Sequence, residues 1–176
     1  MEKRNLNTKQ LVTDAMLASM CALLGYIALD LINLKVTFES LPILIAAFLF
    51  GPVDGLLVGA VGTFIYQILR YAFSATTFLW ILPYVLMGLL AGLWVKKYDY
   101  KPTQRQTLLI VIVLELMVTL LNTGVMYIDS KIYSYYSFVY IFGTFFLRLG
   151  ICVAKAIVFG LILPPLVSAL RKAVKG

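Results

Sequence analysis

Long apolar runs separated by short polar connections make up most of this chain. They predict six helical segments, at residues 11–32, 41–50, 56–69, 78–95, 107–127 and 138–167. The second is short for a membrane crossing and the sixth is unusually long. A transmembrane β-barrel would instead show short segments of alternating polarity. The pattern therefore predicts an all-α membrane protein, a compact bundle of six transmembrane helices that forms a single domain over residues 1–176.

The composition and the positions of the basic residues agree with a membrane bundle. The chain is 62% hydrophobic and 13% charged, with a mean hydropathy of +0.95, which excludes a soluble domain with a polar surface. Ten of the fifteen Lys and Arg residues lie in three places: Lys3, Arg4 and Lys9; Lys96, Lys97, Lys101 and Arg105; Arg171, Lys172 and Lys175. By the positive-inside rule, the tails at 1–10 and 168–176 and the 96–106 connection are cytoplasmic. The net charge of +7 thus reports topology and does not indicate a nucleic-acid partner.

Several kinds of site have no support in the sequence. The polar start leads into a segment of transmembrane length, so we expect no cleavable signal peptide. The chain has no histidine, and its two cysteines lie within apolar segments. Neither HExxH, GxSxG, a pair of aspartates nor a P-loop is present. We therefore expect no catalytic residues, no metal and no cofactor.

Three ionisable residues fall at membrane depth, where charges are costly and mark functional or pairing sites. At about 1.5 Å per residue, Glu115 and Lys155 lie at matching heights on the fifth and sixth segments. We predict a Glu115–Lys155 ion pair, which either fixes helix register or serves function. Arg148 lies about two turns above Lys155, level with Asn122. It either meets an anionic ligand, or snorkels or pairs with Asp30.

Aromatic residues crowd the predicted outer end more than an interfacial belt requires. They are Phe38, Tyr66, Tyr71, Phe73, Trp80, Tyr84, Tyr127, Tyr133, Tyr135, Tyr136 and Tyr140. The stretch RYAFSATTFLWILPYVLMG, residues 70–88, adds an arginine and two threonines to this end. Arg70 either anchors the chain at the interface or contacts a ligand. We expect this stretch to form one wall of a binding pocket.

Small residues in the first segment favour a close helix contact. Ala15, Ala18, Ser19 and Ala22 are at helical spacing and include the motif ASMCA, residues 18–22. Such patterns let helices approach closely in lipid. The contact is made either within this chain or with another subunit.

The chain as a whole resembles the substrate-binding membrane subunits (S components) of energy-coupling factor (ECF) vitamin transporters. The resemblance covers nearly its whole length, and its most specific part is LPILIAAFLFGPVDGLLVGAVG, residues 41–62. The motif ASMCA and the stretch TTFLWILPYVLMGLLAGLW, residues 76–94, also carry it. The resemblance implies a prokaryotic plasma-membrane protein that is not itself an enzyme. Its implied partners are a vitamin, the bilayer, and a transmembrane scaffold subunit with two ATPase subunits, docked through Ala15, Ala18, Ser19 and Ala22.

The implied vitamin pocket lies in the outer half. We expect it to be lined by Arg70, Thr76, Thr77, Trp80, Tyr84, Asn122, Arg148, Lys35 and Phe38. The folate branch is the most similar in length, in the run at residues 41–62 and in the arginines. Folate needs aromatic stacking for its pterin and cations for its glutamate tail, and the outer end offers both. Folate subunits tend to carry a YFPGFTL-like stretch where this chain has SATTFLWIL, residues 74–82. Pantothenate or another small anionic vitamin is therefore the alternative, and a structural or assembly protein with no small ligand is the rival from another class.

Overall fold

The computed structural model describes residues 8–31 and 34–175, without the side chains of residues 29–31, 34, 35, 140, 174 and 175. In chain order, the elements are α1 (Thr8–Tyr26), β1 (Leu29–Leu31), β2 (Leu34–Val36), α2 (Ser40–Phe50), α3 (Pro52–Tyr71), α4 (Thr77–Lys96), α5 (Gln104–Ile132), α6 (Phe138–Phe142) and α7 (Phe145–Lys175). The helical fold class is confirmed, and a small antiparallel hairpin is added to it.

The hairpin replaces the end of the first predicted segment. The helix stops at Tyr26, just after Gly25, and β1 pairs with β2 in the register Leu29 to Val36 and Leu31 to Leu34. The prediction of a helix continuing to residue 32 was therefore wrong. Pairing the two strands satisfies backbone groups that the apolar pattern alone assigned to a helix.

Glycine and proline set the other helix boundaries. A single residue, Gly51, separates α2 from α3; its φ of 110° is in the region that favours glycine, and Pro52 begins the next helix. The turn predicted for residues 51–55 is thus shorter than expected. The long sixth segment divides at Gly143 and Thr144 into α6 and α7. The helix α7 then continues through Pro164 and Pro165 to Lys175.

Four of the described helices are long and apolar enough to cross a membrane. They are α3, α4, α5 and, from Phe145 to Ala173, α7. The helix α2 is apolar but has only 11 residues, and α1 is not among the four. A multi-pass membrane protein is therefore supported. Six crossings and cytoplasmic termini stay predictions.

Contacts at one end of the bundle bring the beginning of α1 together with the end of α7. The Gln10 side chain donates to Asp54 at 2.7 Å, linking the first turns of α1 and α3. The Arg171 guanidinium donates to the carbonyls of Phe48 (3.1 Å) and Tyr100 (3.0 Å). This end, called the terminal end below, therefore holds the start of α1 and the end of α7, and the hairpin lies at the opposite end.

The helix α3 packs closely on both α1 and α4 because glycines line its contacts. A Cβ atom built on Gly62 would lie 2.6 Å from the Cβ of Cys21, and one on Gly59 would lie 2.7 Å from the Tyr84 carbonyl oxygen. Larger side chains would push these helices apart. In lipid, where apolar burial gives little driving force, such close approach is a main source of helix association.

Replacing Gly62 with isoleucine is expected to lower the free energy of unfolding by about 1–3 kcal/mol, because the added atoms overpack the α1–α3 contact. The measurement is the unfolding midpoint of the detergent-solubilised protein, followed by circular dichroism. The matched control is the same substitution at Gly150 in α7, where an added Cβ meets nothing within 4 Å. Equal shifts for the two variants would contradict the close contact.

Candidate functional site

A cavity of about 730 Å³ opens within the bundle at the end that carries the hairpin, remote from the start of α1. Its walls come from the end of β2 and the segment after it, the last turns of α3, the first half of α4, α5 from Glu115 onward and the first half of α7. Consecutive helices run in opposite directions, so these parts of the chain meet at the same end. The volume is in the range of small-molecule sites, about 300–1,000 Å³.

An ion pair lies in the deep part of the cavity. The Lys155 Nζ is 2.8 Å from Glu115 Oε2, and the exposed fractions of the two side chains are 14% and 1%. The Ser40 hydroxyl donates to Glu115, and Lys155 also donates to the Thr37 carbonyl at 3.3 Å. The pair predicted from helix depth is thus brought together, and it ties α5 and α7 to the start of α2.

A second acid, Glu39, lines the same part of the cavity and was not selected from the sequence. It is 2% exposed and accepts a 2.9 Å hydrogen bond from the Thr37 hydroxyl. It also interacts with the Tyr84 hydroxyl. That hydroxyl accepts a 3.3 Å hydrogen bond from the Asn122 side-chain amide. The four side chains form one polar chain across the cavity floor. The sequence feature that could have identified Glu39 is its position directly before an apolar helix.

Arg148 reaches the cavity from α7 and is held by neighbours on α5 and α6. Its guanidinium donates to the Thr123 hydroxyl at 3.1 Å, the Ile141 carbonyl at 3.0 Å and the Met126 sulfur at 3.4 Å. The height predicted from the sequence, level with Asn122, is correct to within one residue. The side chain of Asp30, the alternative partner, lies outside the described residues. These contacts fix the guanidinium at the cavity wall.

Asp129, near the end of α5, forms hydrogen bonds with several side chains at the rim of the cavity. Its carboxylate accepts hydrogen bonds from Thr76, from Tyr135 and, at 3.4 Å, from the Trp80 indole. In addition, the Ala75 backbone N–H donates to the Tyr133 hydroxyl at 3.2 Å. The connection between α3 and α4 is therefore fastened to the end of α5. The sequence placed Asp129 in a loop and gave it no role.

An Asp129→Asn variant is expected to loosen the connection at residues 72–76. The substitution removes the charge and leaves one acceptor oxygen for three donors, and a hydrogen bond to a charged group contributes about 1.5–3 kcal/mol. Hydrogen exchange measured by mass spectrometry should show protection of this connection reduced by about tenfold or more. Asp99→Asn, at the opposite end of the bundle, is the control. Unchanged exchange at residues 72–76 would show that Asp129 does not hold the connection.

Four residues expected in the pocket are not shown to line it. Arg70 donates to the Tyr26 carbonyl at 2.7 Å and links α3 to the end of α1. Thr77 is buried and accepts from the Ser74 backbone N–H at 2.9 Å, so it shapes the start of α4. Phe38 packs on Phe159, with ring centroids 6.2 Å apart. The side chain of Lys35 lies outside the described residues. Thr76, Trp80, Tyr84, Asn122 and Arg148 do line the cavity.

The proposed docking residues divide between two faces of α1. Ala18 and Ala22 are each only 6% exposed, and Ala18 faces Gly62 of α3. Ala15 and Ser19 are exposed. The buried pair therefore packs within the chain, and docking through the first helix stays a prediction. Within the described part of the chain, no three His, Cys, Asp or Glu side chains could hold a metal ion together.

Comparisons with solved structures show the fold. The S component for biotin from an ECF-type ABC transporter has a TM-score of 0.70 and 19% identity, and the match covers 98% of this chain and 95% of that one. FolT bound with folic acid has a TM-score of 0.62 and 18% identity, with 88% and 93% covered. No curated protein sequence matches the chain. The family model described as ECF transporter, substrate-specific component, matches residues 9–173. With nearly the whole sequence matched and a helical fold shared with these structures, the chain belongs to the family of ECF transporter substrate-specific components.

Proposed function

We propose that the chain captures a small water-soluble vitamin, of the folate type, in the cavity at the end of the bundle that carries the hairpin. The observation that supports this proposal is the cavity itself. It has a volume of about 730 Å³ and is lined by aromatic side chains together with Arg148, Lys155 and three carboxylates. Few apolar binding sites contain so many polar groups by chance, since buried polar groups are costly unless they are paired. A substrate-specific component is a binding subunit, so ATP hydrolysis would belong to its partners.

Each wall of the cavity has a role in this proposal. Arg148 would neutralise a carboxylate of the vitamin, because a guanidinium binds carboxylates with paired, charge-assisted hydrogen bonds. Trp80 and Tyr84 would pack against a ring. Asn122 and Thr76 would form hydrogen bonds with its polar edge. The cavity would face outward if the termini are cytoplasmic, as the distribution of basic residues favours.

Delivery would follow docking on a transmembrane scaffold subunit that carries two ATPase subunits. The resemblance implies this arrangement, and the split of α1 changes where docking would occur. Ala15 and Ser19 remain available on the exposed side of α1, next to Met16 and Met20. We therefore assign docking to that exposed side, in the plasma membrane of a prokaryotic cell.

The test is mass spectrometry of the small molecules that co-purify with the protein, followed by calorimetric titration with folic acid, pantothenate and biotin. A folate-type molecule should co-purify, and folic acid should bind tightly. Tight binding of pantothenate or biotin alone would replace the folate assignment. A protein that carries no vitamin and binds none would support the structural or assembly role instead.

A further inference from the structure

Exposed basic side chains lie together at the terminal end of the bundle, at or next to the ends of three helices that are long enough to cross a membrane. Residues 96–105 hold four of them and one acid, Asp99. Arg171, in the last turns of α7, donates to the Tyr100 carbonyl at 3.0 Å and so holds this helix end beside the connection between α4 and α5. Two separate parts of the chain therefore contribute to one patch of positive charge. We call this patch the basic surface; its members are Lys96, Lys97, Lys101, Arg105 and Lys172.

The cations of the basic surface are not neutralised within the described part of the chain. None of the five side chains forms a hydrogen bond, an ion pair or a ring contact with a residue that the structure describes. At the end that carries the hairpin, by contrast, the described basic side chains are engaged. Lys131 lies 3.8 Å from the centre of a tyrosine ring, Arg70 donates to a backbone carbonyl at 2.7 Å, and Arg148 and Lys155 bind groups of the cavity wall. The positive charge at the terminal end is thus available to a partner outside the chain.

Aromatic side chains and a tight turn place these cations at the level of a membrane interface. The ring centroids of Trp94 and Tyr98 are 4.7 Å apart, and both residues are half-buried. Such amphipathic rings lie at the level of lipid headgroups. Asp99 and Tyr100 have φ angles of 49° and 59°, an uncommon conformation for residues other than glycine, and they turn the chain back toward α5. The connection therefore stays close to the helix ends, and its basic side chains stay at headgroup depth.

We propose that the basic surface binds the phosphate groups of anionic phospholipids in the surrounding bilayer. Clusters of about four or more Lys and Arg directly beside a membrane-spanning helix favour anionic lipids. Ammonium and guanidinium groups form charge-assisted hydrogen bonds with phosphate oxygens, and a guanidinium such as that of Arg105 can bind two of them at once. The position at the ends of three apolar helices argues for a lipid rather than a soluble anion, because the acyl chains would lie along those helices. This site is at the opposite end of the molecule from the cavity and does not depend on the proposed function.

Competition between two lipids that share acyl chains and differ in headgroup tests the wild-type protein. The detergent-solubilised protein is incubated with equal amounts of phosphatidylglycerol and phosphatidylcholine and repurified, and its bound lipid is quantified by mass spectrometry. We expect phosphatidylglycerol to be retained in about tenfold excess or more. The excess should fall as salt is raised from about 0.05 M to about 0.5 M, because salt screens exposed charges. Equal retention of the two lipids, or a preference that salt does not change, would overturn the inference. So would displacement of phosphatidylglycerol by inorganic phosphate at matched ionic strength, which would show a site for soluble anions.

Two double variants that lose the same charge locate the site. Lys97→Gln with Lys101→Gln should reduce the preference for phosphatidylglycerol by about fivefold or more, because two phosphate contacts are lost. Arg70→Gln with Lys131→Gln removes two positive charges at the end that carries the hairpin, where both already have partners, and should leave the preference within about twofold. Equal losses in the two variants would show that net charge alone attracts the lipid and would overturn the assignment to the basic surface. Circular dichroism in lipid-free detergent checks that each variant is folded. If the first variant is not, the competition and salt series on the wild-type protein still decide the inference.

Discussion

A Lys155→Met variant is expected to unfold with a free energy about 3–5 kcal/mol lower than that of the wild-type protein. The substitution keeps a long side chain but removes the cation 2.8 Å from Glu115, whose side chain is only 1% exposed. The carboxylate would then be buried at membrane depth without its ammonium partner. Unfolding of the detergent-solubilised protein, followed by circular dichroism against denaturant, measures the loss.

The double variant Glu115→Gln with Lys155→Met separates the lost pair from a general packing defect. Replacing both charges should recover most of the stability, because the cost comes from the unpaired carboxylate rather than from the missing attraction. Glutamine still offers an acceptor to the Ser40 hydroxyl. Lys131→Met, at an exposed position near the end of α5, is the control and should change stability little. A double variant as unstable as the single one would show that the ion pair is not the cause.

Helix depth could be predicted from the sequence because the rise of an α-helix is nearly constant. Counting residues placed Glu115 opposite Lys155 and Arg148 within one residue of its contact at Thr123. The apolar runs also gave the span of α4 to within one residue at each end, Thr77–Lys96. These predictions depend only on local geometry. They hold even though the packing of the bundle was unknown.

The direction of a side chain around a helix was harder to predict, because in lipid the outward face is as apolar as the inward one. Ala15, Ala18, Ser19 and Ala22 share one small-residue pattern, yet Ala18 and Ala22 are buried while Ala15 and Ser19 are exposed. The partner that decides between them is Gly62, which lies far away in the sequence. Small-residue spacing therefore predicted a contact without identifying the partner.

Two polar residues of the cavity could not be identified from hydropathy, because the pattern assigns them to the connections between helices. Hydropathy reads Glu39 and Asp129 as parts of polar loops, whereas the structure places Glu39 on the cavity floor and Asp129 within α5 at the rim. The polar groups of Arg70 and Thr77, by contrast, bind backbone atoms, and neither residue is among those that line the cavity. These side chains are oriented by tertiary contacts, such as those of Asp129 with Thr76 and Trp80. No local pattern encodes such contacts.

An Arg148→Ala variant is expected to bind a carboxylate-bearing vitamin well over tenfold more weakly than the wild-type protein. Truncating one member of a buried, hydrogen-bonded charge pair typically costs about 2–5 kcal/mol, and about 1.4 kcal/mol corresponds to a factor of ten. The guanidinium is already oriented by Thr123 and Ile141, so little ordering would oppose its contact with the ligand. Calorimetric titration of the purified protein with folic acid measures the change.

A matched arginine makes this test specific for the cavity. Arg70→Ala removes a guanidinium near the same end of the bundle, but one that binds the Tyr26 carbonyl and does not line the cavity. It should leave folic acid affinity within about threefold, since only a screened surface contribution is lost. Pterin, which lacks the glutamate tail, should lose little affinity in Arg148→Ala because no ligand carboxylate is then present. If folic acid binds Arg148→Ala as tightly as it binds the wild-type protein, Arg148 has no contact with the carboxylate. If pterin and folic acid are weakened equally, Arg148 shapes the cavity rather than pairing with the anion.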